Sequence, residues 1–372
     1  MKVAIFSSTI NPTDGYGTIT NELCHKFHEK NVDFVLFLPK TAESSSDKFR
    51  FPIKYCLPPY IYRVWTPDFL GYFPNINLMG FSLVHSLFDF PYCFLAAKSA
   101  KAARLPFIMG AQGTYGVLPL TFWPEKHLLK WSYGRAKEII VPSKFTAAKI
   151  REYGGDGHWP ISVVHNGVDF ERFVREVDIG KLKEKYKNKR ILLTVGGLKS
   201  RKGQDLVIKA LPAIINSHPD VKYLIVGTGH WRKYLEDLTA EMKLGDYVEF
   251  VGRVAIEKLI QYYHLCDIYV HTPRVDNLSF EGFGIVYLEA GACGKPIVAT
   301  DAGGIRDAVI HDETGLIAKN EDSGQIAEYI SRLLSNPAEA ARLGKNGLKY
   351  AEQHDWSIIA ERFIEKYKRY AV

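Results

Sequence analysis

Short runs of β-branched and apolar residues alternate along this chain with amphipathic stretches of helical period. KVAIF at residues 2–6 gives way to TITNELCHKFHEK and then VDFVLFL, and FIM, EIIVP and SVVH follow with helical segments between them. Strands separated by helices point to βαβ units and a mostly parallel sheet. After VVHNGVDFERF and the charged stretch KLKEKYKNKR the pattern restarts with ILLTVGG, a helix from QDLVIKALPAII and the strand KYLIVG. It continues through a helix over 231–243, VEFVG, a helix over 256–265, DIYVHT, a glycine-rich segment, PIVAT, and helices to the end. The pattern predicts an α/β protein of two doubly wound, Rossmann-like domains facing each other across a cleft. They comprise residues 1–170 and 171–354 and join near 166–175. The stretch from Tyr55 to Phe94, rich in Tyr, Phe, Trp and Pro, is less regular. It reads either as a packed excursion of the first domain or as an interfacial apolar patch.

Composition supports two well-cored domains. The chain has 372 residues, 47% hydrophobic and 24% charged, and domains typically run to roughly 100–200 residues. Five widely spaced cysteines show no C-x-x-C pairing, which argues against zinc and for a reduced, cytoplasmic setting. MKVAIFSST passes straight into polar loop chemistry with no leader-type segment, and no run of about 18 apolar residues is present to span a membrane.

The net charge of +7 is concentrated early, with 18 Lys and Arg against 12 Asp and Glu in residues 1–160. No basic cluster interleaved with aromatics is dense enough to favour nucleic acid. An anionic membrane surface touched peripherally, or a phosphate-bearing acceptor, accounts for the asymmetry equally well.

The segment SFEGFGIVYLEA, residues 279–290, places Glu281 and Glu289 eight positions apart around two glycines and an apolar run. If Gly282 to Gly284 turn and a helix starts near Ile285, the amides of Phe283, Gly284 and Ile285 point outward unpaired, an end that attracts phosphate. Glu281 then lies ahead of the helix and Glu289 about one turn inside it. A ligand with hydroxyls at both ends and a diphosphate between, a sugar nucleotide, would satisfy both carboxylates. The alternative is a solvated loop residue and a helix-surface charge.

HNGVDFERF, VGGLKSRKGQDLVIKAL, VGTGH, the Glu281–Glu289 segment and VATDAGGIRDAV occur in an order that resembles the family-4 retaining glycosyltransferases of GT-B fold, over nearly the whole chain. RKGQDLVIKALP followed by EGFGIVYLEAGACGKP is most similar to bacterial GDP-mannose-dependent α-mannosyltransferases acting on phosphoinositides. The resemblance implies that Glu281 holds the transferred sugar and Glu289 the ribose, with Gly282, Phe283, Gly284 and Ile285 around the donor. It also implies that Lys202 neutralises the departing diphosphate and that Arg253 and Val254 border the base. Gly15 and Gly17 in TDGYGTIT match the family's N-terminal glycine loop; as a dinucleotide fingerprint the loop fails, because Thr20 stands at the third glycine position. The terminal helix, 355–372, is expected to return to the first domain with Trp356 in its core, and Asn166 and Asp169 to serve as junction and capping residues.

Two departures matter. Gly197 stands where the family has an Arg five residues before the Lys, leaving Arg201 as the candidate second cation. Gln112, in LPFIMGAQGTYG, stands where the family has a His, and Gln can bond a sugar hydroxyl but cannot take a proton. His85 is expected to be structural. No D-x-D occurs in the chain, so metal-independent transfer without a cofactor is expected, from a GDP- or UDP-sugar donor. The acceptor is a hydroxyl of a glycan, lipid-linked or small molecule. A catalytically inert sugar-nucleotide-binding protein and a GT-B nucleotide-sugar epimerase remain as alternatives.

Overall fold

A computed structural model describes residues 1–12, 15–42, 49–59 and 76–372. The chain divides into two compact units, residues 1–166 with 356–372, and residues 167–355. The core of the aromatic stretch discussed above, residues 60–75, lies outside the described residues, as do Thr13 and Asp14 of the glycine loop.

The first unit is a seven-stranded sheet in the order β3-β2-β1-β4-β5-β6-β7. Its strands are β1 (Lys2–Phe6), β2 (Asp33–Pro39), β3 (Ile53–Leu57), β4 (Leu83–Ser86), β5 (Phe107–Gly110), β6 (Glu138–Val141) and β7 (Ile161–Val163). All pairings are parallel, with Val3 opposite Phe34 on one side and Leu83 on the other. Strands buried on both faces read as continuous apolar runs, which is why KVAIF and EIIV were recognisable. β4 falls inside the stretch expected to be irregular and β3 runs into it; IKYCL carries a lysine and half-buried positions because it is the sheet edge.

The helix Trp356–Tyr370 belongs to this unit. It buries Trp356, Ile359, Ala360, Phe363 and Tyr367, a helical stripe, against the helix Gly15–Glu29 and the sheet. His85 Nδ1 lies 2.7 Å from the Tyr367 hydroxyl and its ring stacks on Phe363. Burial pushes the imidazole down to about 3, so His85 is a neutral structural group.

The second unit is a six-stranded parallel sheet in the order β10-β9-β8-β11-β12-β13. Its strands are β8 (Arg190–Val195), β9 (Val221–Val226), β10 (Val248–Gly252), β11 (Ile268–His271), β12 (Ile297–Thr300) and β13 (Gly315–Ala318). β13 corrects the expectation of helices alone after PIVAT. Four apolar residues, GLIA, carry no period that separates a strand from a helix turn. Asp169 caps the helix Phe170–Val174, its Oδ1 accepting the Arg172 N–H at 3.2 Å. Among the described residues no helix is long and apolar enough to cross a membrane.

Strand order reverses at β1/β4 in the first sheet and at β8/β11 in the second. In open α/β sheets the loops leaving the carboxyl ends at such a point form the binding crevice.

Candidate functional site

In the second unit both loops at the reversal point carry charge. β8 runs out through Gly196 and Gly197 into a short 3₁₀ turn, Ser200–Lys202, and Gly203 (φ 69°) then starts the helix Gln204–Ser217. A Cβ on Gly203 would stand 1.8 Å from the Thr272 carbonyl oxygen, so only glycine lets this turn seat on the segment after β11. The seat is fastened by Thr272 Oγ1 donating to the Gly203 carbonyl at 2.8 Å and by the Arg274 N–H donating to the Arg201 carbonyl at 2.9 Å.

That fastening brings Arg201 and Lys202 onto Glu281. Lys202 Nζ donates to Glu281 Oε2 at 2.5 Å and Arg201 donates to the same oxygen at 3.0 Å. The side chains are largely buried, 14% exposed for Lys202 and Glu281 and 24% for Arg201. Burial alone pushes the Glu281 carboxyl up. Lys202, then Arg201, outweigh it and hold the group well below the usual carboxylate range. Burial draws the Lys202 ammonium down against the pull of Glu281. Arg201 is thus no solvated turn residue.

The helix Ile285–Ala292 starts where the glycines predict it, capped by Gly284 at φ 90°. A Cβ there would meet the Tyr287 ring at 2.7 Å. First-turn amides have no intrahelical acceptor, which leaves Ile285 and its neighbours as anion donors. Phe283 is buried in the core and Gly282 is half-buried. Glu289, one turn in, accepts the Tyr263 hydroxyl at 2.6 Å. Burial, then Glu289, raise that phenol well above its ordinary value, so it stays a donor. Arg253 is exposed and Val254 half-buried against the core, both just past β10 at the sheet edge, with β9 and β8 between them and β11.

One neighbour was not anticipated. His271 ends β11, is fully buried, and neither ring nitrogen has a hydrogen-bond partner among the described residues. Burial, then Lys202, push it down to about 3, so it is a neutral ring against the charged cluster.

In the first unit the segments that follow β1, β4 and β5 meet on Asp89. Its Oδ1 accepts the Gln112 N–H at 2.6 Å and its Oδ2 accepts the Tyr16 hydroxyl at 3.1 Å. The carboxyl is fully buried, and burial pushes it up to about 7 against these two hydrogen bonds. Asp89 is the one acidic residue between Asp68 and Glu125, and an isolated acid at a strand end is the sequence signal that could have found it. Gln112 Oε1 is buried without a partner among the described residues. Gly15 has open space where a side chain would stand, whereas a Cβ on Gly17 would lie 1.7 Å from the Asn11 carbonyl oxygen. Gly17 therefore lets the chain approach itself, and Gly15 is the glycine with room beside it.

Residues 178–350 match the model of glycosyl transferases group 1 and residues 13–172 that of glycosyltransferase family 4. A GDP-mannose-dependent alpha-(1-6)-phosphatidylinositol monomannoside mannosyltransferase of Mycolicibacterium smegmatis is 32% identical over 54% of this chain and 54% of its own length. The monoacylated-substrate counterpart of Corynebacterium glutamicum is 32% identical over 59% of each chain. The matched region thus spans little more than half the length of these two relatives. Among solved structures, Anabaena HepE in complex with UDP superposes with a TM-score of 0.84 at 21% identity, over 99% of this chain and all of that one. Sucrose-phosphate synthase of Thermosynechococcus elongatus gives 0.79 at 24% identity, over 99% and 98%. At such identities the likeness is one of fold.

Proposed function

Because this chain belongs to glycosyltransferase family 4 and has the GT-B fold, we propose that it transfers a hexose from a nucleoside-diphosphate sugar to a hydroxyl acceptor, with retention and without a metal. The observation that carries the reading is Glu281 held by Arg201 and Lys202 at the start of the helix Ile285–Ala292. Two largely buried cations and a helix N-terminus meet a diphosphate, and a carboxylate beside them meets sugar hydroxyls.

Lys202 and Arg201 stabilise the charge that develops as the diphosphate leaves, the part taken elsewhere by a metal. The acceptor oxygen bonds the anomeric carbon on the face the diphosphate vacates, and its proton passes to the departing phosphate oxygen. No protein base is then required, which suits a chain with Gln112 where the family has a His. Glu289, aligned by Tyr263, takes the ribose hydroxyls. GDP-mannose is the first donor to try, since the M. smegmatis and C. glutamicum relatives are GDP-mannose-dependent. The basic first unit is the acceptor side, with a phosphate-bearing or lipid-linked acceptor and peripheral contact with an anionic membrane.

The test is thermal shift with GDP, UDP, ADP and dTDP at saturation in the presence of EDTA, followed by turnover of the matching nucleotide sugars. A ligand that binds only the folded state raises its stability by mass action. A selective shift with turnover supports the reading. Gly197 favours a second one, an inert nucleotide-sugar binder, which a shift without turnover would select.

A further inference from the structure

We propose that Glu281 is a specificity-determining residue that makes the site prefer a sugar-bearing nucleotide to the bare nucleoside diphosphate, by exchanging between two sets of partners. The inference rests on the donor-site reading above and adds to it a competition within the protein itself.

One oxygen of Glu281 holds both cations, with Arg201 and Lys202 each bonded to Oε2. Among the described residues Glu281 is the only carboxylate that either of them pairs with. The Glu281 carboxylate thus occupies the seat that an anion would take. A diphosphate cannot take that seat while Glu281 keeps it, because two anions would share one largely buried pair of cations.

The carboxylate has to leave, and the surrounding backbone limits how. The Glu281 carbonyl accepts the Gly304 N–H at 2.8 Å. A Cβ on Gly303 would stand 2.4 Å from that same carbonyl, so the Gly303–Gly304 turn is pressed against the main chain of Glu281. The main chain stays and the side chain turns. Its Cγ lies 3.6 Å from where a Cβ of Gly284 would be, so the arm already runs along the mouth of the helix Ile285–Ala292.

A displaced carboxylate in a largely buried place needs new donors. A hexose supplies them as hydroxyls. A bare nucleoside diphosphate, whose ribose hydroxyls go to Glu289, brings none to this end, and Glu281 is then left unpaired. The exchange is complete only when sugar and diphosphate arrive together. Once the sugar has gone to the acceptor, Glu281 loses its hydroxyls, returns to Arg201 and Lys202, and displaces the product. His271, buried and neutral beneath them, adds no third positive charge to retain it.

The experiment is calorimetric titration of the native protein and of Glu281→Gln with GDP, UDP and inorganic pyrophosphate, and with the corresponding nucleotide sugars. The amide keeps the shape and removes the competing charge. Glu281→Gln is expected to bind the bare nucleoside diphosphate about tenfold more tightly than the native protein, to bind the nucleotide sugar less tightly relative to it, and to lose transfer. Glu281→Asp, with a shorter arm that holds the cations less well, should fall between the two and serves if the glutamine variant does not fold. Native binding of a nucleoside diphosphate that Glu281→Gln leaves unchanged or weakens overturns the inference and leaves the donor-site reading standing. No binding of any nucleotide or nucleotide sugar by the native protein overturns both.

Discussion

The Oδ1 of Asp89 accepts the backbone N–H of Gln112 at 2.6 Å, so the loop in which the family carries a His is anchored through its main chain, not through the residue 112 side chain. The side chain at that position can change while the loop stays in place. Gln112→His is therefore expected to fold as the native protein does, with melting temperature and turnover compared side by side.

Asp89 itself should leave a trace in stability against pH. Its folded value, about 7, lies above the ordinary 3.8, so the folded state holds a proton that the unfolded state releases first. The resulting stability is complete below about pH 4 and is lost as the pH rises through 7, at up to about 1.4 kcal/mol per pH unit. Asp89→Asn removes that slope. Melting temperatures across pH 4–8 should fall for the native protein relative to the variant. Parallel curves would mean that Asp89 is ionised throughout.

The two glycines at the start of the first long helix should behave differently. Gly17→Ala drives a methyl into the Asn11 carbonyl and should destabilise by about 3 kcal/mol or more, visible as loss of the folded transition. Gly15→Ala meets nothing within 4 Å and should change stability by less than about 1 kcal/mol. A fall in turnover for Gly15→Ala alone would report a ligand passing that point.

Lys202→Met should reduce transfer by about a hundredfold or more, the effect of losing one preorganised donor to a developing anion. It also leaves Glu281 with Arg201 as its remaining cation, so the variant should be measurably less stable. The kcat under saturating donor is the decisive quantity, because a role in ground-state binding alone would appear in KM.

Gly197→Arg tests the departure from the family directly. Gly197 is absent from the positive-φ positions, and a Cβ there meets Lys199 Cε and the Thr228 carbonyl oxygen at 3.8 Å, ordinary contact distances. The side chain should be accepted with a stability change within about 0.5 kcal/mol. With a third cation near the diphosphate, the donor Kd should fall several-fold. Unchanged affinity would place residue 197 outside the site.

Much of this was legible because the signals were local. The glycines before Ile285 and the apolar run behind them specify a helix start, and the helix starts there. The ion pair of Arg201 with Glu281 was not legible, because it depends on Gly203 seating against Thr272, a contact across 69 positions. His271 and Asp89 escaped for a related reason. Each is a single polar residue just at or past a strand end; Asp89 carries the local signal of an isolated acid, but the full burial that distinguishes both comes from the packing of distant elements, which no short stretch of sequence encodes. β13 shows the limit of periodicity, since four apolar residues do not reveal a period.

The helix Trp356–Tyr370 gives biosynthesis an order of its own. The second unit is one uninterrupted stretch, but the first is begun at residue 1 and completed only by residues 356–372. Phe27 and His85 wait for Phe363 and Tyr367, which the ribosome delivers roughly 280 to 340 residues later. The half of the protein that is made first is therefore finished last, and until residues 356–372 have been made the core of the first unit lies open to chaperones.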